Sequence, residues 1–106
     1  MKVLLIARRS TEHTPQDFAP LLNKEAKQAL EFLEDDFFRE IYSMADGGGA
    51  VILAEANSLE EAQTKASNLP LVQAGMLHIE YIPLKAYRAF KQAADCLLYT
   101  SPSPRD

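Results

Sequence analysis

FFREIYSMADGGGAVILAEA, residues 37–56, holds two apolar runs joined by Asp46-Gly47-Gly48-Gly49. Asp-Gly is a favoured hairpin turn, because glycine accepts the left-handed backbone that such turns need. The spacing predicts a strand near 37–44 with Phe38, Tyr42 and Met44 on one face and Phe37 and Ile41 on the other. AVILAEA, 50–56, is its antiparallel partner. The glycines do not form a phosphate cradle. That loop would have to open a helix, and a Walker loop needs a following Lys-Ser/Thr, which is absent here.

Outward toward the N-terminus, KVLLIARR (2–9) predicts a strand with Leu4 and Ile6 on one face and Val3, Leu5 and Ala7 on the other. STEHT (10–14) reads as a polar loop. A helix then runs to about Leu33, with Leu22, Ala26, Ala29, Leu30 and Leu33 as its apolar stripe. Thr14 with Pro15 offers one start. Asp17 as the cap is preferred, because it places Pro20 in the first turn, where no hydrogen bond is lost. The remaining option is a kink at Pro20. Glu34-Asp35-Asp36 reads as a solvated helix end rather than a metal site.

Outward toward the C-terminus, Ser58-Leu59-Glu60-Glu61 predicts a capping box and a helix to about Ser67. Asn68–Gly75 reads as a loop. MLHIEYIPL, from Met76, is a fourth strand ended by Pro83, and LKAYRAFKQAA a short last helix. The order is β-α-β-β-α-β followed by a helix. That is the α+β, ferredoxin-like pattern, an antiparallel sheet with helices on one face. Strand one and the hairpin are apolar on both faces, so the helix-free face needs a cover. A second copy of the chain supplies it most simply, giving a homodimer or larger ring.

The chain has 106 residues, enough for one domain, placed at 1–95. No apolar run approaches the roughly 20 residues of a membrane helix. In MKVLLIARR the apolar run precedes the charges, the reverse of a signal peptide, so a cytoplasmic location is expected. The net charge of −4 argues against a nucleic-acid partner. The single cysteine fits a reducing compartment and forms no internal disulfide. It lies in the closing stretch CLLYTSPSPRD, 96–106, which reads as a disordered tail. One back-translation of that stretch resembles a transposase-type sequencing adaptor read in frame. The stretch is therefore set aside as a scar, with the true C-terminus expected to be missing.

Glu25 lies mid-helix beside the apolar stripe. A carboxylate turned toward a helix–sheet cavity has its pKa raised and can move protons near neutrality; the bland alternative is a helix-surface glutamate. Arg39, Tyr42, Tyr81 and Tyr87 are candidates to line a pocket for a small polar-aromatic or lactone ligand, or else core and interface filler. His78 and Glu80 share a strand face, but a third ligand is not apparent, so no metal is assigned. His78 is a possible general base, with a cross-strand polar pair as the plainer reading. His13 sits in a polar loop.

Taken in order, MKVLLIARR, the helix with Pro15 and Glu25, AEANSLEEA, NLPL and HIEYIPL resemble the muconolactone isomerase family over roughly residues 1–90. The resemblance implies a dimeric α/β barrel built from ferredoxin-like domains. It implies a cofactor-free proton shift moving a double bond within an unsaturated lactone, in aromatic catabolism. Glu25 matches the position of the family's proposed proton carrier. Tyr42 or Arg39 would donate to the developing dienolate oxygen, and His78 would join them in binding substrate. Two features depart from the family: the Gly-rich hairpin turn and a longer loop, VQAGML, after Leu69-Pro70-Leu71. The rival expectations are a non-catalytic barrel binding a small apolar or aromatic metabolite, and a cofactor-independent monooxygenase with a dry aromatic cavity.

Overall fold

The structure, a computed structural model, describes residues 1–100, with side chains through residue 94. Residues 101–106 of the closing stretch, including its Ser/Pro alternation, lie outside the described residues. The elements are β1 (Lys2–Arg9), α1 (Pro15–Glu34), β2 (Phe38–Ser43), β3 (Gly49–Glu55), α2 (Leu59–Ala66), α3 (Pro70–Gln73), β4 (Leu77–Leu84) and α4 (Arg88–Thr100). The sheet order is β2-β3-β1-β4, every described pair antiparallel. This is the ferredoxin-like α+β fold that the element order implied.

Strand periodicity places the core. Val3, Leu5 and Ala7 are buried on the inner face of β1. Ile52 and Ala54 of β3 continue that face, Leu5 standing opposite Ile52 and Val3 opposite Ala54. Phe32, Phe37 and Phe38 close its β2 end, with ring centroids 5.0–5.1 Å apart. Ala62 and Ala66, one turn apart on α2, are fully buried. Their small side chains let that helix approach the sheet closely.

Six local expectations change. α1 begins at Thr14, not Asp17. The Thr14 N–H donates to Asp17 Oδ2 at 2.8 Å, and the Asp17 N–H donates to Thr14 Oγ1 at 3.4 Å. This reciprocal box satisfies two orphan groups and places Pro15 at the first helical position. Pro20 then lies inside the helix and leaves one carbonyl without its usual donor.

At β2, a bulge between Phe38 and Glu40 breaks the alternation. Phe38 faces Ala54 and Ile41 faces Ile52, so both lie on the core side, and Tyr42 lies opposite. An extra residue on one strand shifts every later side chain by one step, and simple period-two counting misses it. At α2, Ser58 Oγ accepts from the Glu61 N–H at 3.0 Å. The Glu61 side chain pairs with Asn57 and Lys65, so the box is half formed.

Asn68–Gly75 contains the short helix α3, opened by Pro70. Pro83 does not end β4, which runs to Leu84. β4 is an edge strand, where a missing N–H costs no ladder bond. Finally, α4 continues past Ala94 to Thr100. The next proline is Pro102, and nothing before it forbids a helix.

One glycine is fixed by contact. Gly49 has φ +155°, and a Cβ there would lie 1.8 Å from the Ala7 carbonyl oxygen. The hairpin thereby presses against the end of β1, next to Arg9.

Candidate functional site

Glu25 lies on the half-buried flank of α1, where the helix faces the sheet. Its Oε1 accepts a hydrogen bond from the Leu71 N–H at 2.9 Å. Leu71 lies in the first turn of α3, whose N-cap Leu69 offers no side-chain acceptor. A carboxylate from α1 therefore does the capping from across the fold. Burial pushes the Glu25 carboxyl up from its ordinary value; the Leu71 hydrogen bond and the Arg9 charge pull it partly back.

Glu25 borders a cavity of about 250 Å³ between α1, α3 and the inner sheet face. The apolar wall includes Leu22, Ala29, Phe38, Ile41, Ile52 and Leu77. Side-chain polarity comes from Glu25, Arg9 and Ser43. Arg9 ends β1 on the inner row begun by Val3, Leu5 and Ala7 and stands opposite Leu77. Its guanidinium carbon lies 5.0 Å from the Phe18 ring centroid, a cation–π distance. Arg9 and Ser43 were missed in the sequence. Period-two counting along β1 would have found Arg9. Ser43 was hidden by the bulge.

The other sequence candidates do not join Glu25. Tyr42 is 63% exposed on the helix-free face, and its hydroxyl donates to Glu40 Oε1 at 2.9 Å. That bond and the Glu40 charge raise the Tyr42 pKa. His78 stands opposite Arg8 on the same outer face, beside the Arg8–Glu80 pair at 3.6 Å. The sheet therefore separates Tyr42 and His78 from the cavity. Arg39 sits in the bulge, and its Nε donates to the Asp36 carbonyl at 2.8 Å, securing the chain just past α1. Tyr81 faces the core beside Leu5, where burial raises its pKa. Tyr87 is exposed and meets Phe90 edge-on. His13, half-buried, meets Phe18 edge-on, and its Nδ1 lies 2.9 Å from Ser10 Oγ.

The outer face carries its own pattern. Leu4 stands between Leu53 and Ile82, and Ile6 between Val51 and Glu80. These apolar side chains are half-buried rather than covered. Charged and polar groups of Lys2, Arg8, Glu40, Glu55, His78 and Glu80 rim them. No described helix is long and apolar enough to cross a membrane.

No protein-family model matches the chain, and no curated protein matches it. Among solved structures it is similar to 5-chloro-2-hydroxyhydroquinone dehydrochlorinase from Burkholderia phenoliruptrix AC1100, determined in complex with 2,5-dihydroxybenzoquinone. That likeness has a TM-score of 0.59 at 19% identity and covers 84% of this chain and 98% of that one. It supports the ferredoxin-like fold derived above.

Proposed function

We propose that this chain is the protomer of a dimeric α/β barrel that processes a small unsaturated ring compound without a cofactor, with Glu25 carrying the proton. The observation that carries this reading is a half-buried carboxylate, raised in pKa by burial, bordering an apolar cavity. A carboxyl raised in this way holds a proton more readily than a free glutamate, which suits a group that takes a proton and returns it. The cavity lies just below the ~300–1,000 Å³ range of drug-sized ligand sites, which suits a single ring. The neighbour's quinone complex supports a small oxygenated ring as the ligand class.

The reaction follows from the muconolactone isomerase resemblance. Glu25 carboxylate removes a proton from the gamma carbon of the α,β-unsaturated lactone. The electron pair moves through the adjacent double bond onto the carbonyl oxygen, giving a dienolate. The Glu25 acid then returns the proton at the alpha carbon, the carbonyl re-forms and the double bond has moved to the beta–gamma position. Atoms and charge balance with no co-reactant. The donor roles given to Tyr42, Arg39 and His78 pass to the groups on the cavity side of the sheet.

A second reading is a non-catalytic barrel that binds a small apolar metabolite. The Glu25–Leu71 hydrogen bond favours it, because capping α3 gives the carboxylate a structural task. For the oxygenase alternative, Phe38 is the aromatic residue in the described cavity wall, which is little for a dry aromatic pocket.

The test incubates the full chain with muconolactone and follows the lactone's ultraviolet spectrum, with Glu25→Gln alongside. Turnover that falls roughly 10²–10⁴-fold in the variant is expected for a lost proton carrier. Equal turnover in both, or none in the wild type, overturns the isomerase reading.

A further inference from the structure

Arg9 is the charged group of the cavity that the proton shift leaves without a partner. It makes no ion pair among the described residues, although four ion pairs occur elsewhere in them. Its Cζ rests over the Phe18 ring at 5.0 Å, which holds the guanidinium plane but commits none of its N–H groups. It borders the same cavity as Glu25, close enough for its charge to act on that carboxyl, yet the two form no ion pair. A planar fork of free donors beside an apolar cavity matches the geometry of a carboxylate or enolate.

We propose that Arg9 is the anion-recognising residue of this cavity, which takes a small, mostly apolar ring compound bearing one acidic oxygen group. The proposal deepens the Glu25 reading and rests on it for the choice of cavity. Orientation follows from charge. Glu25 repels the anionic end and Arg9 attracts it, so the oxygen group lies at the Arg9 end and the ring lies against Ala29 and Ile52. Ser43 and the backbone at Gly49 are the neighbouring polar groups.

The proposal separates from its parent by a binding experiment that needs no turnover. The full chain, ¹⁵N-labelled, is titrated with benzoate and with benzamide, a neutral compound of nearly the same shape, and amide shifts are followed by NMR. The same titrations are run on Arg9→Gln and Arg9→Lys. Arg9 is exposed, so neither variant is expected to disturb folding. The expected result is shift changes at Leu71, Ser43 and Gly49 and benzoate binding at least tenfold tighter than benzamide. That preference is expected to disappear in Arg9→Gln and to recover partly in Arg9→Lys, which keeps the charge and loses the fork. Benzoate and benzamide binding alike, Arg9→Gln keeping the preference, or no binding by either compound overturns the proposal. Benzoate preference through Arg9 without muconolactone turnover leaves the anion site standing and removes only the isomerase reading.

Discussion

Glu25 has two tasks in this structure, and one residue change separates them. The Leu71 N–H needs an acceptor, and Glu25 Oε1 supplies it at 2.9 Å. Glu25→Ala removes the acceptor. The donor is only part-buried, so the expected loss is about 1 kcal/mol, the low end for an unmade hydrogen bond. Glu25→Gln keeps a carbonyl oxygen in place and removes the charge. At pH 7 burial penalises that charge, because the folded-state pKa lies above the ordinary value of 4.5. The sign follows from linkage. A raised carboxyl contributes its full stability below about pH 4.5 and loses it as pH rises through the folded pKa. Glu25→Gln is therefore expected to equal or exceed the wild type at pH 7, and to lose that advantage toward pH 4.5. Urea unfolding of the full chain and both variants at pH 4.5 and 7 measures this. If Glu25→Gln is as destabilised as Glu25→Ala at both pH values, the charge itself holds the fold, and the buried-acid reasoning is wrong.

Leu53→Lys places a charge at the centre of the outer sheet face, beside Leu4. Light scattering after gel filtration is expected to show a wild-type dimer and a monomeric variant. A monomeric wild type refutes the face-to-face barrel. Gly49→Ala drives a Cβ into the Ala7 carbonyl oxygen at a positive φ. The β1–β3 pairing must open at the cavity, so a loss of several kcal/mol or failure to fold is expected, read by circular dichroism. Phe38→Ala is expected to cost about 3–5 kcal/mol, because the ring is fully buried against Phe32 and Phe37. Thr14→Ala should lower stability by about 1 kcal/mol if the reciprocal cap sets the start of α1.

Local chemistry in the sequence determined much of this protein. Alternating apolar residues defined β1 and β3, Asp-Gly the hairpin, Ser58 the start of α2, and their order the ferredoxin-like fold. Each signal acts within a few residues, so a single sequence carries it. The helical phase of Glu25 marked it as a candidate beside an expected apolar stripe, but Leu22, Ala26 and Leu30 of that stripe are exposed, and the residues that bury α1 are Phe18 and Phe32.

The start of α1 was decided by two caps in competition, and the reciprocal Thr14–Asp17 bonds prevailed over the cost of an internal proline. The faces of β2 turned on the bulge, which is visible only when two strands are paired. The same bulge sent Tyr42 to the outer face and Ser43 to the cavity. The cavity itself is made by contacts far apart in the chain: Arg9 from β1, Glu25 from α1, Leu71 from α3. A carboxylate meets a backbone N–H 46 positions away. No local pattern encodes that meeting, because it depends on where the packed helices come to rest on the sheet.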